Sequence, residues 1–340
     1  MLKKFLFSTH AKRKRVYDKI LNSCRKNEMT IEKISNAGYH LMRRENLHHH
    51  FFMDYSLYTT AVHLVLFALD FDSEKNQKNF MNIKITEKEG ASIIHLFEKR
   101  IVERLPVEYI TQESNYLGYK FYVNENVLVP RSVMNTRFDE FLQNVQWKNY
   151  RVLDLGTGSG CIGITLALMK SDIMVDLVDI SEKALSVAAI NINRHQLQQR
   201  VKCIQSDLFE KIHETYDLII TNPPYVSCRE YKKIPAEFKT EPKLALEAGK
   251  KGLDVLDQIL MNASRYLNSQ GTLIAEVGAT AARHLKKKYP EISFKWLKYK
   301  RPSNSVSKFG SWIDRIFGVD CIFQCKAKEL PVSIAKKIAE

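Results

Sequence analysis

Residues 152–160, Val-Leu-Asp-Leu-Gly-Thr-Gly-Ser-Gly, decide the fold, because an apolar strand runs directly into a glycine-rich turn. Apolar residues continue through Leu168 with helical spacing, so a helix is predicted to follow. Glycine lets the backbone approach a ligand closely, and a helix start offers free N–H groups. This order predicts a nucleotide-type cofactor site at the carboxyl end of a parallel sheet. The predicted loop contacts are Gly156, Thr157, Gly158, Ser159 and Gly160.

The residue in front of the glycines indicates which cofactor binds. Residues 158–163 also fit GxGxxG, the dinucleotide pattern, so the glycines alone leave both cofactors open. Asp154 favours a ligand without phosphates, since a carboxylate beside a pyrophosphate is electrostatically unfavourable. We therefore expect a sulfonium compound, S-adenosyl-L-methionine, with Asp154 near its positively charged end.

Acidic residues follow the next two predicted strands. Asp179 ends the second strand, where its carboxylate can accept hydrogen bonds from ribose hydroxyls. Asp207 follows the third strand and can accept from an adenine amino group, while Leu208 can cover the ring. One such aspartate alone is more often a helix cap or a solvated strand end. Their recurrence at successive strand ends favours cofactor binding.

Strands and helices alternate through the C-terminal half of the chain. This alternation predicts an α/β fold with an open, Rossmann-like sheet, and the last two strands predict an antiparallel edge. The predicted strands are 151–155, 174–179, 201–205, 216–221, 272–276, 293–299 and 319–325. The residues at 301–310, rich in Pro, Ser, Asn and Gly, predict a turn.

The N-terminal part is helical by its pattern, since apolar residues recur every three or four positions up to about residue 104. Thr86, followed by Glu87 and Glu89, suits the start of the last of these helices. β-Branched and aromatic residues at 107–129, interrupted by Gly118, predict a small hairpin. The predicted organisation is a helical domain at 1–104, a β-hairpin linker at 105–130 and an α/β domain at 131–340.

The fourth predicted strand ends in the most informative stretch, Asn222-Pro223-Pro224-Tyr225. An isolated sequence of this kind is usually a turn, but its place beside the cofactor loop favours catalysis. A planar NH₂ group conjugated to a carbonyl or ring is a poor nucleophile, so acceptors must hold its hydrogens and orient it. The Asn222 side chain, which also borders the cofactor, and the Pro223 carbonyl can do this. Pro224 stiffens the loop, and Tyr225 can pack against the substrate plane.

Together these stretches resemble the protein-glutamine N-methyltransferase family. The resemblance extends from about Tyr55 to the C-terminus. The stretches that carry it are RLPVEYIT at 104–111, FYVNENVLVPRS at 121–132, LDLGTGSGCI at 153–162, VDIS at 178–181, SDLF at 206–209, TNPPYV at 221–226 and EPKLALEAGKKGLD at 241–254. The resemblance implies a class I S-adenosylmethionine-dependent methyltransferase domain preceded by a helical substrate domain, with NPPY holding the glutamine amide.

The same resemblance implies a substrate in the translation machinery. Pro130-Arg131-Ser132, and Leu208 where a Trp is usual, are closer to the branch that acts on the third protein of the large ribosomal subunit. The alternative branch acts on the GGQ glutamine of release factors. The resemblance also implies supporting roles for Pro130, Arg131 and Glu241, although Glu241 followed by Pro242 also suits a simple turn.

Two other classes of function stay open. NPPY also occurs in methyltransferases that act on the amino group of adenine in nucleic acid, which poses the same chemical problem. A non-enzymatic ribosome-assembly or RNA-binding factor could keep the fold without turnover. The mixed charges of the N-terminal helices argue against the first alternative, and the intact glycines, Asp179 and NPPY argue against the second.

Composition limits the partners and the location. The 340 residues carry a formal net charge of +14, which favours polyanions, so contact with rRNA or an assembling ribosome through a basic surface is expected. No apolar run is long enough to cross a bilayer, and the 6 cysteines form no metal or disulfide pattern. His48, His49 and His50 are consecutive and predict no metal site. We expect a cytoplasmic protein; the basic, acid-free residues 1–15 leave a mitochondrial location as the alternative.

Overall fold

The structure, a computed structural model, describes residues 13–16, 18–20, 29–47, 56–71, 80–134, 148–297 and 322–331. The predicted turn at 301–310, His48–His50 and residues 1–12 lie outside these residues. The chain divides into two compact units, Met1–Gln112 with Pro235–Thr240, and Glu113–Ile234 with Glu241–Glu340. The first is helical, and the second contains the sheet.

In the described residues 31–112, the helical unit contains four α-helices. They are α1 (Ile31–Arg44), α2 (Leu57–Ala68), α3 (Glu87–Ile101) and the short α4 (Val107–Thr111). Side chains cap the first three, since Thr30, Ser56 and Thr86 each accept a hydrogen bond from a backbone N–H of the first turn. The predicted helix start at Thr86 is confirmed, with Glu89 completing a capping box. The apolar residues Ile93, Ile94, Phe97 and Ile101 of α3 are buried in the core of this unit.

The predicted hairpin does not begin at residue 107, because Val107–Thr111 forms helix α4. Pro106 precedes the helix with φ −54° and ψ 148°, a conformation that leads directly into a helical turn. The Thr111 hydroxyl then donates to the Val107 carbonyl at 3.0 Å. Burial of Tyr109 and Ile110 therefore outweighs the strand propensity of these residue types.

The predicted hairpin is shorter than expected and belongs to the second unit. Strands β1 (Glu113–Tyr116) and β2 (Tyr119–Tyr122) pair antiparallel. Leu117 and Gly118 join them with φ values of 53° and 81°, the left-handed pair that a tight two-residue hairpin requires.

A seven-stranded sheet forms the centre of the second unit, with the order β5-β4-β3-β6-β7-β9-β8. The strands are β3 (Tyr150–Leu155), β4 (Ile173–Asp179), β5 (Val201–Gln205), β6 (Tyr216–Thr221), β7 (Leu267–Glu276), β8 (Lys295–Leu297) and β9 (Ile322–Lys326). Five of them, β3 to β7, run parallel, whereas β9 is antiparallel to both β7 and β8. The α/β sheet and its antiparallel edge are therefore confirmed.

Helices connect the parallel strands. They are α5 (Cys161–Met169), α6 (Glu182–Arg194), the short α7 (Cys228–Tyr231), α8 (Asp254–Tyr266) and α9 (Ala279–Lys288). The core joins side chains of β3, β6 and β7 to α8 and α9. In the sheet, β3 lies between β4 and β6. Because these three strands are parallel, the loops that follow them meet at the same edge of the sheet. Among the described residues, no helix is both long and apolar enough to span a membrane.

Candidate active site

A cavity of about 200 Å³ lies where β3, β4, β5 and β6 end. Most of the residues singled out by sequence line it: Pro130, Arg131, Gly156, Thr157, Gly158, Ser159, Asp179, Asp207, Leu208, Asn222 and Pro224. Of the described residues that were predicted with them, Asp154, Gly160, Pro223, Tyr225 and Glu241 stand outside this lining. The structure thus gathers loops that are far apart in sequence around a single cavity.

The glycine loop after β3 has the backbone that its residues suggest. Gly156, Gly158 and Gly160 have φ values of 67°, 56° and 82°, a region that favours glycine. The last glycine of the GxGxxG pattern, Gly163, has another role: a side chain there would collide with Leu177 of β4. Because Gly163 has no side chain, α5 can pack closely against the sheet.

Asp154 lies beneath the loop, fully buried. Its carboxylate accepts hydrogen bonds from the Thr157 hydroxyl at 2.7 Å and from the Gly163 N–H at 2.9 Å. Burial raises the pKa of Asp154 to about 6, and these two hydrogen bonds oppose that rise. The position of Asp154 suits holding the glycine loop in shape; its expected contact with the cofactor stays a prediction.

Asp179 lies at the end of β4 and faces the cavity. Its two carboxylate oxygens accept from the N–H groups of Gly158 and Ser181, each at 2.9 Å. Burial raises its pKa above the ordinary value. The next residue, Ile180, also lines the cavity and is 48% exposed, which offers an apolar surface to a flat ring. Ile180 was not predicted from the sequence. The signal that could have indicated it is an apolar residue directly after the carboxylate that ends a strand.

The reaction loop is held firmly on both sides. Before it, the Thr221 hydroxyl donates to the Leu155 carbonyl at 2.8 Å, which ties the ends of β6 and β3 together. After it, Val226 exchanges backbone hydrogen bonds of 2.9 Å with Leu246 and Ala248. Gly252 packs so closely that a side chain there would collide with the Tyr225 carbonyl. Asn222 and Pro224 thereby have a fixed place at the cavity wall.

The three supporting residues come together on one side of the cavity. The Arg131 guanidinium donates to the Glu241 carboxylate at 2.7 and 2.8 Å, and both side chains are buried. The same carboxylate accepts from the Val129 N–H at 3.0 Å. Glu241 therefore holds residues 129–131, including the cavity residue Pro130, in one conformation.

Sequence reasoning also missed Asn191, a fully buried residue of α6. Its side-chain oxygen accepts from the Tyr122 N–H at 2.7 Å, and its NH₂ group donates to the carbonyls of Tyr122 and Ser159 at 3.0 and 2.9 Å. One side chain thus joins the hairpin to the glycine loop. Its partners lie far away in sequence, so no local pattern could have indicated this role.

Replacing Asn191 by alanine should lower the free energy of unfolding by about 2–4 kcal/mol, because buried backbone groups of Tyr122 and Ser159 lose their partners. Urea unfolding monitored by circular dichroism measures this change. Asn193, exposed on the same helix, is the matched control, and Asn193→Ala should change stability by less than about 0.5 kcal/mol. Equal stabilities for the two variants would contradict the assigned role.

The fold and the cavity define the class of protein: a class I S-adenosylmethionine-dependent methyltransferase. If the seven strands of this sheet are numbered in chain order, so that β3 is the first, their order across the sheet is 3-2-1-4-5-7-6. The glycine loop follows the first strand, a carboxylate that lines the cavity ends the second, and NPPY follows the fourth. Residues 136–251 match the family model described as "Methyltransferase small domain".

Two relatives identify the family more closely. The ribosomal protein uL3 glutamine methyltransferase of Neisseria gonorrhoeae is 39% identical over 242 residues, covering 70% of this chain and 80% of that protein. The protein of the same name from Francisella tularensis is 39% identical over 249 residues, covering 72% and 78%. The chain belongs to the family of ribosomal protein uL3 glutamine methyltransferases. A solved methyltransferase from Pyrococcus furiosus is 17% identical, with a TM-score of 0.43 and coverage of 62% of this chain and 90% of that one.

Proposed function

We propose that this protein methylates the side-chain amide nitrogen of a glutamine in ribosomal protein uL3. The observation that carries the proposal is the position of Asn222, which borders the cofactor cavity in a chain of this family. An amide oxygen fixed there is the acceptor that a planar NH₂ group needs.

The residues around the cavity fit the cofactor. Asp179 accepts from the ribose hydroxyls, Asp207 accepts from the adenine amino group, and Ile180 and Leu208 cover the two faces of the ring. Gly156, Thr157, Gly158 and Ser159 line the part of the cavity that receives the remainder of the ligand. Bound S-adenosylmethionine supplies an electrophilic methyl group on a positively charged sulfur.

Asn222 and Pro223 orient the substrate. The Asn222 side-chain oxygen and the Pro223 carbonyl accept the two hydrogens of the glutamine NH₂ group, which directs its nitrogen at the methyl carbon. The nitrogen forms the new bond to carbon, the carbon–sulfur bond breaks, and the amide nitrogen then loses one proton to water. Positioning accounts for the catalysis, because a methyl group activated on sulfur requires no strong base.

Leu244 extends this site towards the substrate protein. It is 59% exposed, lies in the short 3₁₀ turn Lys243–Ala245 and lines the cavity together with Pro242. An exposed leucine at the rim of a cavity suits contact with an apolar part of the substrate around its glutamine.

Transfer of labelled methyl groups to separately supplied substrates tests the proposal. The substrates are free uL3, release factor, and adenine-containing DNA and RNA. Label in uL3 alone supports the proposal, whereas label in release factor keeps the chemistry and overturns the substrate. Label in nucleic acid would reassign the protein to adenine methylation. Cofactor binding without transfer to any of them would favour an assembly factor.

A basic surface beside the reaction loop suits contact with rRNA in an assembling large subunit. Lys250, Lys251, Arg283 and Lys287 are exposed, and we refer to these four residues as the basic surface. The Lys251 carbonyl lies 3.2 Å from the His284 ring, which joins the loop to α9. The neighbouring Gly252 packs on the reaction loop, so the basic surface borders the site. Phosphates of rRNA are the natural partners of such a cluster.

Changing Lys250 and Lys251 together to glutamate should slow methylation of uL3 bound to rRNA and leave methylation of free uL3 unchanged. For uL3 bound to rRNA, a plot of log(kcat/KM) against log(salt concentration) has a negative slope. This slope should become less steep by about 1 for each phosphate contact that the variant loses. The double variant Lys148→Glu/Lys328→Glu is the matched control. It makes the same change of charge at the other end of the strands, away from the cavity. Equal effects of the two variants would overturn the proposed contact.

The bacterial relatives support activity in the cytoplasm, where bacterial ribosomes assemble. The mitochondrial alternative rests on basic residues near the N-terminus, most of which lie outside the described residues. Fractionation of cells that express the tagged full chain tests the location: recovery with the cytoplasmic ribosomes supports it, and recovery with organelles overturns it.

A further inference from the structure

Glu276 is a buried carboxylate that neither the sequence motifs nor the cofactor contacts involve. It is the last residue of β7, the strand beside β6, and only 4% of it is exposed. The reaction loop follows β6, so Glu276 lies behind that loop. A buried carboxylate requires partners, because desolvating a charge is costly.

Three donors from two segments meet at this carboxylate. The Ser132 hydroxyl and the Val133 N–H donate to one oxygen at 2.6 and 3.0 Å. The Tyr225 hydroxyl donates to the other oxygen at 3.2 Å. Ser132 lies 144 residues before Glu276, and Tyr225 lies 51 residues before it. Glu276 therefore connects residues 132–133 with the last residue of NPPY.

Both segments continue into the cavity. Ser132 lines it together with Arg131, and the reaction loop contributes Asn222 and Pro224. Tyr225 packs against the core of the sheet instead, so its hydroxyl serves the contact with Glu276. Glu241 holds residues 129 and 131, and Glu276 holds residues 132 and 133. The two carboxylates thus fix one cavity wall, and Glu276 alone of the two also holds the reaction loop through Tyr225.

We propose that Glu276 is a positioning residue for methyl transfer: its ionised carboxylate aligns the reaction loop with the wall at 132–133, and its protonation releases that alignment. The inference rests on the proposed methylation of a glutamine amide, whose nitrogen must be aimed at the methyl carbon. A protonated carboxyl donates through one oxygen, so the Tyr225 hydroxyl can no longer donate to that oxygen and the contact must reverse its direction or break.

The surroundings of Glu276 determine the pH at which this occurs. Arg131 faces it from the wall segment, Tyr225 from the reaction loop and Tyr116 from β1. Tyr116 is itself near Cys161 and Asp154. Burial raises the pKa of Glu276 to about 7, against the hydrogen bonds from Ser132, Tyr225 and Val133 and the charge of Arg131. Turnover at saturating cofactor and substrate should therefore fall as the pH drops through about 7.

The test is the pH profile of kcat for wild type, Glu276→Gln and Glu276→Asp, with uL3 as substrate. Glu276→Gln should lower kcat about tenfold or more at pH above about 8, and should abolish the acid-side fall seen in wild type. Cofactor affinity by calorimetry should fall by a smaller factor than kcat, since Glu276 lies outside the cavity lining among the described residues and reaches the cavity wall only through Ser132. Glu276→Asp keeps the charge and should restore the acid-side fall.

Asp176→Asn is the matched control, because Asp176 is also a buried carboxylate of the sheet, bonded to Tyr216 at 2.7 Å. It should keep the wild-type profile. If Glu276→Gln instead retains both the wild-type kcat and the acid-side fall, the inference is overturned. If Asp176→Asn also abolishes the fall, loss of any buried carboxylate would explain it, and the inference is equally overturned.

A second measurement separates this inference from the proposed function. The native carboxyl binds its proton more tightly than the unfolded one, so wild type should lose stability relative to Glu276→Gln as the pH rises from about 4.5 to about 7. Thermal unfolding of both proteins shows this without any substrate. Absent transfer to uL3 together with this pH dependence would reject the proposed substrate and keep the titration of Glu276. A pH-independent difference in Tm would reject the role of Glu276.

Discussion

Replacing Asn222 by alanine should lower kcat for methyl transfer by about 10²–10³-fold and leave cofactor affinity within a few fold of wild type. The reason is that the variant removes the acceptor that orients the glutamine nitrogen, whereas Asp179 and the glycine loop still line the cavity. Single-turnover rates with uL3 measure the first effect, and calorimetry with S-adenosylmethionine measures the second.

Asn193→Ala is again the matched control, because it makes the same chemical change at an exposed position of α6. Its turnover should equal that of wild type. An Asn222→Ala enzyme with nearly wild-type turnover would remove Asn222 from the mechanism. A large loss of cofactor affinity would show instead that Asn222 acts mainly through the cofactor.

Replacing Glu241 by alanine should lower the free energy of unfolding by about 3–5 kcal/mol, the cost typical of breaking a buried ion pair by removing one partner. The change leaves the buried Arg131 guanidinium without this carboxylate and takes the acceptor from the Val129 N–H. Because residues 129–131 form a wall of the cavity, cofactor affinity should fall as well. Urea unfolding and calorimetry measure the two effects.

Two comparisons distinguish the buried ion pair from a general loss of charge. The double variant Arg131→Met/Glu241→Leu should be more stable than Glu241→Ala, since it leaves no buried charge from this pair. Glu113→Ala breaks the exposed ion pairs with Lys120 and Arg194 and should cost less than about 1 kcal/mol. Equal losses for Glu113→Ala and Glu241→Ala would contradict the structural role of Glu241.

Local patterns predicted the parts of this fold that depend on neighbouring residues. The strands at 201–205 and 216–221 have the predicted limits, and β3 and β4 each begin one residue earlier than predicted. Strand ends in a parallel sheet meet at one edge, so Asp179 and Asn222 could be placed at the same cavity from sequence alone. Helix α4 was missed because tertiary burial, which no local pattern contains, outweighed strand propensity.

Long-range partners were beyond such patterns. Arg131 and Glu241 lie 110 residues apart, and only the family resemblance linked them to the site. Glu276 and Asn191 gave no signal, since their roles depend on backbone and hydroxyl groups brought to them by folding. Two further contacts were hidden from sequence: the Tyr225 hydroxyl bonds to Glu276, and Asp154 accepts from the Thr157 hydroxyl in the glycine loop. The expected contacts of Tyr225 with the substrate and of Asp154 with the cofactor stay predictions.

The most direct test of the central claim is peptide mass spectrometry of uL3 after incubation with the purified full-length protein and S-adenosylmethionine carrying a deuterated methyl group. We expect one labelled methyl group on the side-chain amide of a single glutamine, and little or no label in the same time when the enzyme carries Asn222→Ala. Label on another residue type of uL3, or an unlabelled uL3 beside a labelled release factor or nucleic acid, would contradict it.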